Sequence, residues 1–192
     1  MEYHVISLPK RADRRAELLA NFEELGLPAP HFYDAVNGCV KYPDYSDHMA
    51  AHFGCYDSHV QLLEHLATSG NEWECVLEDD AQLLTVPTPP DNDAAIHYLG
   101  GGLQLDRAVM ELPSLPYNRA VNILCTHGYI VRVCRIAEVL DILKQRRWKI
   151  DVCMIDVQRE LPCSIVKSAI AIQRPSFSDI TGTHKENAHT KW

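Results

Sequence analysis

The stretch that most constrains this chain is Cys75-Val76-Leu77-Glu78-Asp79-Asp80-Ala81. A short apolar run opening directly onto charge reads as a strand buried on both faces, the kind found inside a parallel sheet. Three acids at its carboxyl end then fall where open α/β sheets hold their ligands. Adjacent carboxylates repel one another, and a cation between them relieves the repulsion. An all-oxygen donor set suits a hard divalent ion, Mn²⁺ or Mg²⁺. The competing reading is a solvated acidic turn, and the flanking segments decide between the two.

Those segments supply a sheet for the strand. Residues 3–8 (Y-H-V-I-S-L) read as a first strand ended by Pro9, and 10–26 as a helix with Leu18, Leu19, Phe22 and Leu25 at helical spacing. That helix opens on Lys10, Arg11, Arg14 and Arg15. Cations are unfavourable at a helix N-terminus unless an anion sits above them, and such termini bind phosphate. The alternative is a solvated basic face. Residues 31–36 form a second strand, with Asp34 near its ligand-side end. A polar loop over 39–50 precedes a helix over 54–69, where His59, Leu62, Leu63 and Leu66 share a face. His59 reads there as a hydrogen-bonded core histidine. Ser58 precedes it directly, so the two diverge by about 100° and make no nucleophile–base pair.

A further strand over 94–99 runs into Gly100-Gly101-Gly102, which either lets backbone approach a ligand or serves only as a flexible loop. Residues 103–119 show no period and read as a long loop. Strands over 121–124 and 128–133 follow, then helices over 136–147 and 151–160, the second capped by Asp151. A strand over 164–172 closes the sheet, and 173–192 is a polar tail. The class is therefore α/β, a Rossmann-like and mostly parallel central sheet flanked by helices, in one domain of 192 residues.

Composition narrows the function. A net charge of −8 argues against nucleic acid or an anionic membrane as partner. No stretch approaches the ~18 apolar residues of a spanning helix. The seven cysteines contain no C-x-x-C pair, which points away from a zinc ribbon and toward a reducing, cytoplasmic setting.

Several pieces in order resemble one family. V-I-S-L-P-K-R-A-D-R-R (5–15), F-Y-D-A-V-N-G (32–38), G-C-Y-D-S-H (54–59), V-L-E-D-D-A (76–81), H-Y-L-G-G (97–101), T-H-G-Y-I-V (126–131) and S-F-S-D-I (176–180) are similar to the motifs of family 25 glycosyltransferases, the lipooligosaccharide and collagen galactosyltransferase group. Tyr56 and Asp57 depart from the small or apolar residues often seen before that family's Ser-His pair. The chain is also short for the family, which leaves the acceptor open.

The resemblance implies a GT-A fold, with a nucleotide-sugar-binding half over about 1–100 and an acceptor-binding half over about 101–192. It implies a nucleoside-diphosphate donor, usually a UDP-sugar, a glycan or glycoprotein acceptor, and Mn²⁺ or Mg²⁺. For such a reaction Glu78 and Asp80, on one side of an extended chain, are the pair expected to hold the metal, with His184 from the tail. Asp79, Asp34, Gly100 and Gly101 are expected at the donor, and Arg11, Arg14 and Arg15 at its diphosphate. An inverting transfer also needs a base for the acceptor hydroxyl, for which Asp151 and Asp156 are the candidates. Asp151 is preferred, and its competing reading is a plain N-cap. Two other classes stay open: a nucleotide-sugar-binding module without turnover, and a nucleotidyltransferase, which would carry a glycine-rich loop where this chain has Leu8-Pro9-Lys10.

Overall fold

The computed structural model describes residues 1–103, 109–110, 114–180 and 182–185. In chain order the elements are β1 (Tyr3–Ser7), α1 (Ala12–Glu24), β2 (His31–Asp34), α2 (Gly38–Lys41), α3 (Asp47–Leu66), β3 (Trp73–Glu78), β4 (Ala81–Leu83), β5 (Ile96–Tyr98) and β6 (Gly102–Leu103). They continue as β7 (Val109–Met110), β8 (Tyr117–Ala120), β9 (Ile123–Leu124), β10 (Gly128–Arg132), α4 (Ile136–Leu143), α5 (Ile150–Glu160), β11 (Cys163–Val166), β12 (Ala171–Gln173), β13 (Ser176–Phe177) and β14 (His184–Lys185).

Eight strands make the central sheet, in the order β2-β1-β3-β10-β5-β11-β8-β7. Strands β2, β1, β3, β5, β11 and β7 run one way, while β10 and β8 run against them. The sheet is thus mixed: six strands share one direction, while β10 and β8 make four of its seven neighbour pairings antiparallel. Cys75, Val76 and Leu77 are fully buried in β3. One face packs α3, α4 and α5 around Leu62, Leu63, Val76, Tyr129 and Val139, and the other packs α1 through Leu18 and Phe22. Burying side chains of this size stabilises by roughly 1.5–3 kcal/mol each. No described helix is long and apolar enough to cross a membrane, and no disulfide joins the cysteines of the described residues.

Four local expectations need correction. Helix α3 starts at Asp47 and not at 54, because Ser46 caps it, its Oγ accepting from Met49 N. The alanine- and histidine-rich first turns lack the apolar period that would have marked them. Helix α5 starts at Ile150 behind Lys149, so Asp151 lies in its first turn and is not the cap. The span 164–172 is two strands: β11 enters the sheet between β5 and β8, and exposed Lys167 and Ser168 break the run. After them β12 leaves the sheet to pair with β4. Lastly, β7 and the first residues of β8 fall in the span 103–119 and extend the sheet edge, while 104–108 and 111–113 fall outside the described residues.

Candidate active site

A cleft of about 250 Å³ opens at the carboxyl ends of β1 and β3. Its floor is Ser7 from β1 with Glu78, Asp79 and Asp80 from the end of β3. One wall is the 36–39 loop pressed on α3, and the other is Cys125–His127 before β10 with Asp151 at the start of α5. Gly54 makes the first wall possible. A Cβ there would stand 2.6 Å from the Val36 carbonyl oxygen and 2.6 Å from the Gly38 nitrogen, so only glycine lets the loop lie on the helix. Ser58 then fastens it, its Oγ accepting from Val36 N at 2.8 Å.

The three acids differ sharply. Strand β3 ends at Glu78, and Asp79 and Asp80 form a turn, so strict alternation stops there. Asp79 faces into the protein: it accepts from Arg14 Nη1 at 2.6 Å and Ser7 Oγ at 2.9 Å. Glu78 Oε1 accepts from Thr126 Oγ1 at 2.5 Å and lies 3.3 Å from His59 Nε2. Burial alone would raise Glu78, but these bonds and the nearby imidazole hold it down at about 2. Asp80 goes the other way. Burial, and then the charge of Glu78, push it up to about 6, against the pull of Arg14 and Gln173.

Asp80 Oδ2 accepts from Gln173 Nε2 at 2.9 Å, whereas Oδ1 is buried with no hydrogen-bond partner among the described residues. A buried carboxylate oxygen left open is costly unless something binds it. The open Asp80 oxygen, in the same cleft as Glu78, can therefore accept a ligand, a hard divalent cation among them. A second donor group also lies in the cleft: ligand atoms of Cys55, His59 and Glu78 fall within 4.8 Å of one another.

Of the other expected residues, Arg14 and Asp151 line the cleft. Burial, then Glu78, raises Asp151, whose Oδ1 accepts from Val152 N at 2.8 Å. Asp156 does not line the cleft; it pairs with Arg146 at 2.7 Å and Arg159 at 3.3 Å. Arg11 is bonded to Asp179 and Asp13, and Arg15 to Asp34 at 2.7 Å and the Ser7 carbonyl at 3.0 Å. These contacts turn the basic helix opening largely onto protein carboxylates, with Lys10 and Arg14 on the cleft wall. Gly100 serves close packing, since a Cβ would stand 2.1 Å from the Ala171 carbonyl oxygen. Gly101 is buried behind it, outside the cleft lining. The backbone of His184 pairs with Phe177, and its side chain lies outside what is described.

Sequence reasoning did not place Ser7, His52, Cys55, Thr126, His127 or Gln173 in the cleft, where all six stand. Most sit on elements whose register only the fold sets. Cys125, also in the cleft lining, carries no mark in the sequence; only the structure shows its φ of 74°, rare outside glycine and frequent at functional turns. His59 is the buried, hydrogen-bonded histidine the helix pattern suggested, with Nδ1 3.0 Å from Tyr129 Oη, and it also lines the cleft. The two departures from the motif are structural. Tyr56 Oη donates to the Leu143 carbonyl at 2.8 Å. Asp57 gathers Tyr42, Lys41 at 2.7 Å and Arg147 at 2.9 Å, tying the 36–46 loop to the segment before α5.

Comparison with known proteins agrees with the motif reading. Residues 1–86 match the model of glycosyltransferase family 25 (LPS biosynthesis protein). No curated protein matches the chain significantly. Among solved structures it is similar to galactosyltransferase LgtC in complex with donor and acceptor sugar analogues, with 9% identity over 82% of this chain and 70% of that one, at a TM-score of 0.51. A197 from STIV is 10% identical over 100% of this chain and 97% of that one, also at 0.51. A glycosyltransferase involved in glycosylation of the major capsid of PBCV-1 is 15% identical over 76% of this chain, at 0.42, and the chain spans 66% of its length. The fold is α/β of the GT-A type, and the amino-terminal part carries the family 25 pattern.

Proposed function

We propose that this chain, a GT-A fold with a family 25 amino-terminal part, is a metal-dependent glycosyltransferase that moves a sugar from a nucleoside diphosphate, a UDP-sugar, to a hydroxyl of a glycan or glycoprotein. The observation that carries the reading is Asp80: a buried carboxylate with one open oxygen, beside Glu78, on the floor of a cleft at the carboxyl end of the sheet. In this reading Asp80 and Glu78 hold Mn²⁺ or Mg²⁺, with His184 of the tail, and the ion neutralises the departing diphosphate when bound.

Lys10, paired with Asp179 at 3.2 Å, and Arg14, paired with Asp79 at 2.6 Å, are the basic residues that line the cleft for the phosphates, and Arg11 and Arg15 act behind them by fixing Asp179, Asp34 and the end of β1. The donor half is about 1–100 and the acceptor half about 101–192. Asp151, on the opposite wall, takes the proton of the acceptor hydroxyl as the sugar is transferred with inversion. The cytoplasm is the proposed setting.

Three measurements test the reading. Calorimetric titration with UDP should show affinity that rises with Mn²⁺ and loses that dependence in Asp80→Ala; metal-independent affinity in the unaltered protein overturns the metal assignment. Incubation with a panel of UDP-sugars should release UDP slowly in the presence of metal. Tight donor binding without hydrolysis or transfer to any acceptor would favour a binding module instead. For the base, Asp151→Asn should bind donor normally and transfer it very poorly, while Asp156→Asn keeps activity. The reverse pattern moves the role to Asp156.

A further inference from the structure

The far end of the same three strands carries a second constellation. His4 of β1 and His31 of β2 are register partners, so their side chains share a face. Val76 pairs with His4 from the other side, and Glu74 precedes it by two, which returns it to that face; Glu2 precedes His4 by two as well. Sheet geometry alone therefore assembles two imidazoles and two carboxylates at one corner. His4 Nε2 lies 3.3 Å from Glu74 Oε2, and His31 Nε2 lies 3.8 Å from Glu2 Oε2. Ligand atoms of Glu2, His4 and Glu74 fall within 4.8 Å of one another. His31 is exposed and stacks on His4 with ring centroids 5.5 Å apart.

We propose that Glu2, His4, His31 and Glu74 form a binding site for a borderline divalent ion of the zinc class, stitching the amino-terminal ends of β1, β2 and β3. Imidazole nitrogens select such an ion over Mg²⁺ or Ca²⁺. Two ligands of tetrahedral zinc stand about 3.4 Å apart, given bonds of about 2.1 Å, and His4 and Glu74 already have nearly that spacing. The supporting shell is also present. Glu74 Oε1 accepts from Ser69 Oγ at 2.5 Å and Asn71 Nδ2 at 2.9 Å, which fixes the carboxylate and turns Oε2 toward the histidine. Glu74 Oε2 also accepts from Glu2 N at 2.9 Å, which leaves its second lone pair, now turned to His4, for the ion, and the cation would offset two carboxylates that share one corner.

The experiment is a calorimetric Zn²⁺ titration in excess Mg²⁺, comparing the unaltered chain with Glu2→Gln/His31→Ala. Both altered residues are exposed, so the fold should survive; His4→Gln is the more severe companion. The expected result is one Zn²⁺ equivalent whose affinity falls at least tenfold in the double variant, together with a zinc-induced rise in melting temperature that shrinks in parallel. Equal affinity and stoichiometry in both proteins overturn the proposal. Co²⁺ separates this corner from the cleft. Tetrahedral visible bands without a thiolate-to-cobalt charge-transfer band fit the His/Glu set, whereas a thiolate band as the sole signal puts the ion at Cys55 and overturns it.

Discussion

At the amino-terminal end of β3, Glu74 is fully buried and both of its oxygens are bonded, one to Ser69 and Asn71, the other to Glu2 N and His4. At the carboxyl-terminal end Asp80 is nearly as buried, yet one of its oxygens has no hydrogen-bond partner among the described residues, and burial, then the charge of Glu78, raises its pKa to about 6. The same strand thus holds Glu74 with four protein partners, which would also orient it toward an ion at that corner, and Asp80 with one oxygen left open. A satisfied buried acid contributes to the fold, and an unsatisfied one is tolerated where a ligand will complete it.

The sharpest way to break that comparison is Asp80→Ala. It should lower metal-dependent transfer on the order of 10³-fold while leaving the melting temperature close to that of the unaltered chain, as read by initial rates and thermal unfolding. Comparable losses of activity and stability would make Asp80 another Glu74. At the opposite end, Glu74→Ala strands Ser69, Asn71, His4 and the Glu2 amide at once. Denaturant unfolding should show a loss of about 3 kcal/mol. A loss within experimental error would mean that water replaces Glu74 without penalty.

A third buried group sharpens the contrast through pH. His97, on β5, bonds Ser164 Oγ at 2.8 Å, and burial lowers its pKa to about 4. The folded state disfavours its proton, so its stabilising effect is complete above the unfolded pKa of about 6.5 and is lost as pH falls toward 4. The stability difference between the unaltered chain and His97→Gln should therefore grow with pH across that window, by up to about 1.4 kcal/mol per unit. A difference that stays flat from pH 4 to 7 would show that His97 is protonated as readily in the fold as outside it.

The smallest effect is expected at Asp80 itself. A carboxyl raised from 3.8 to about 6 favours the fold only while protonated, and its contribution is lost as pH rises through that interval. At pH 7 Asp80→Asn should leave the protein as stable or gain on the order of 1 kcal/mol in urea unfolding, even as activity disappears. A clear loss would mean that Asp80 is held by bonds beyond that from Gln173.

Much of the amino-terminal part was legible because its signals are local. An apolar run buried on both faces, a helix period ended by Gly26 and acids at a strand end each lie within a few residues. The pairs they form in space, β1 with β2 and β3, follow chain order. Alternation and helix period also placed Glu78 and His59 on sensible faces. What lay beyond reach was the return of the chain. Strand β10 inserts between β3 and β5, β11 lies between β5 and β8, and β12 crosses to β4. No local period encodes such pairings, since antiparallel and parallel neighbours ask for the same buried apolar residues.

By itself, then, the sequence determined the α/β class, the buried β3, and the acid cluster at its end, because hydrophobic period and charge order are properties of the chain. Only the tertiary structure decided what each acid does. It gave Asp79 to Arg14 and Ser7, Glu78 to His59 and Thr126, and left an oxygen of Asp80 open, with Asp151 across the cleft and Asp156 outside it. Partners drawn from five separate elements and loops set those fates, and a carboxylate's role depends on its partners and its burial rather than on its neighbours in sequence.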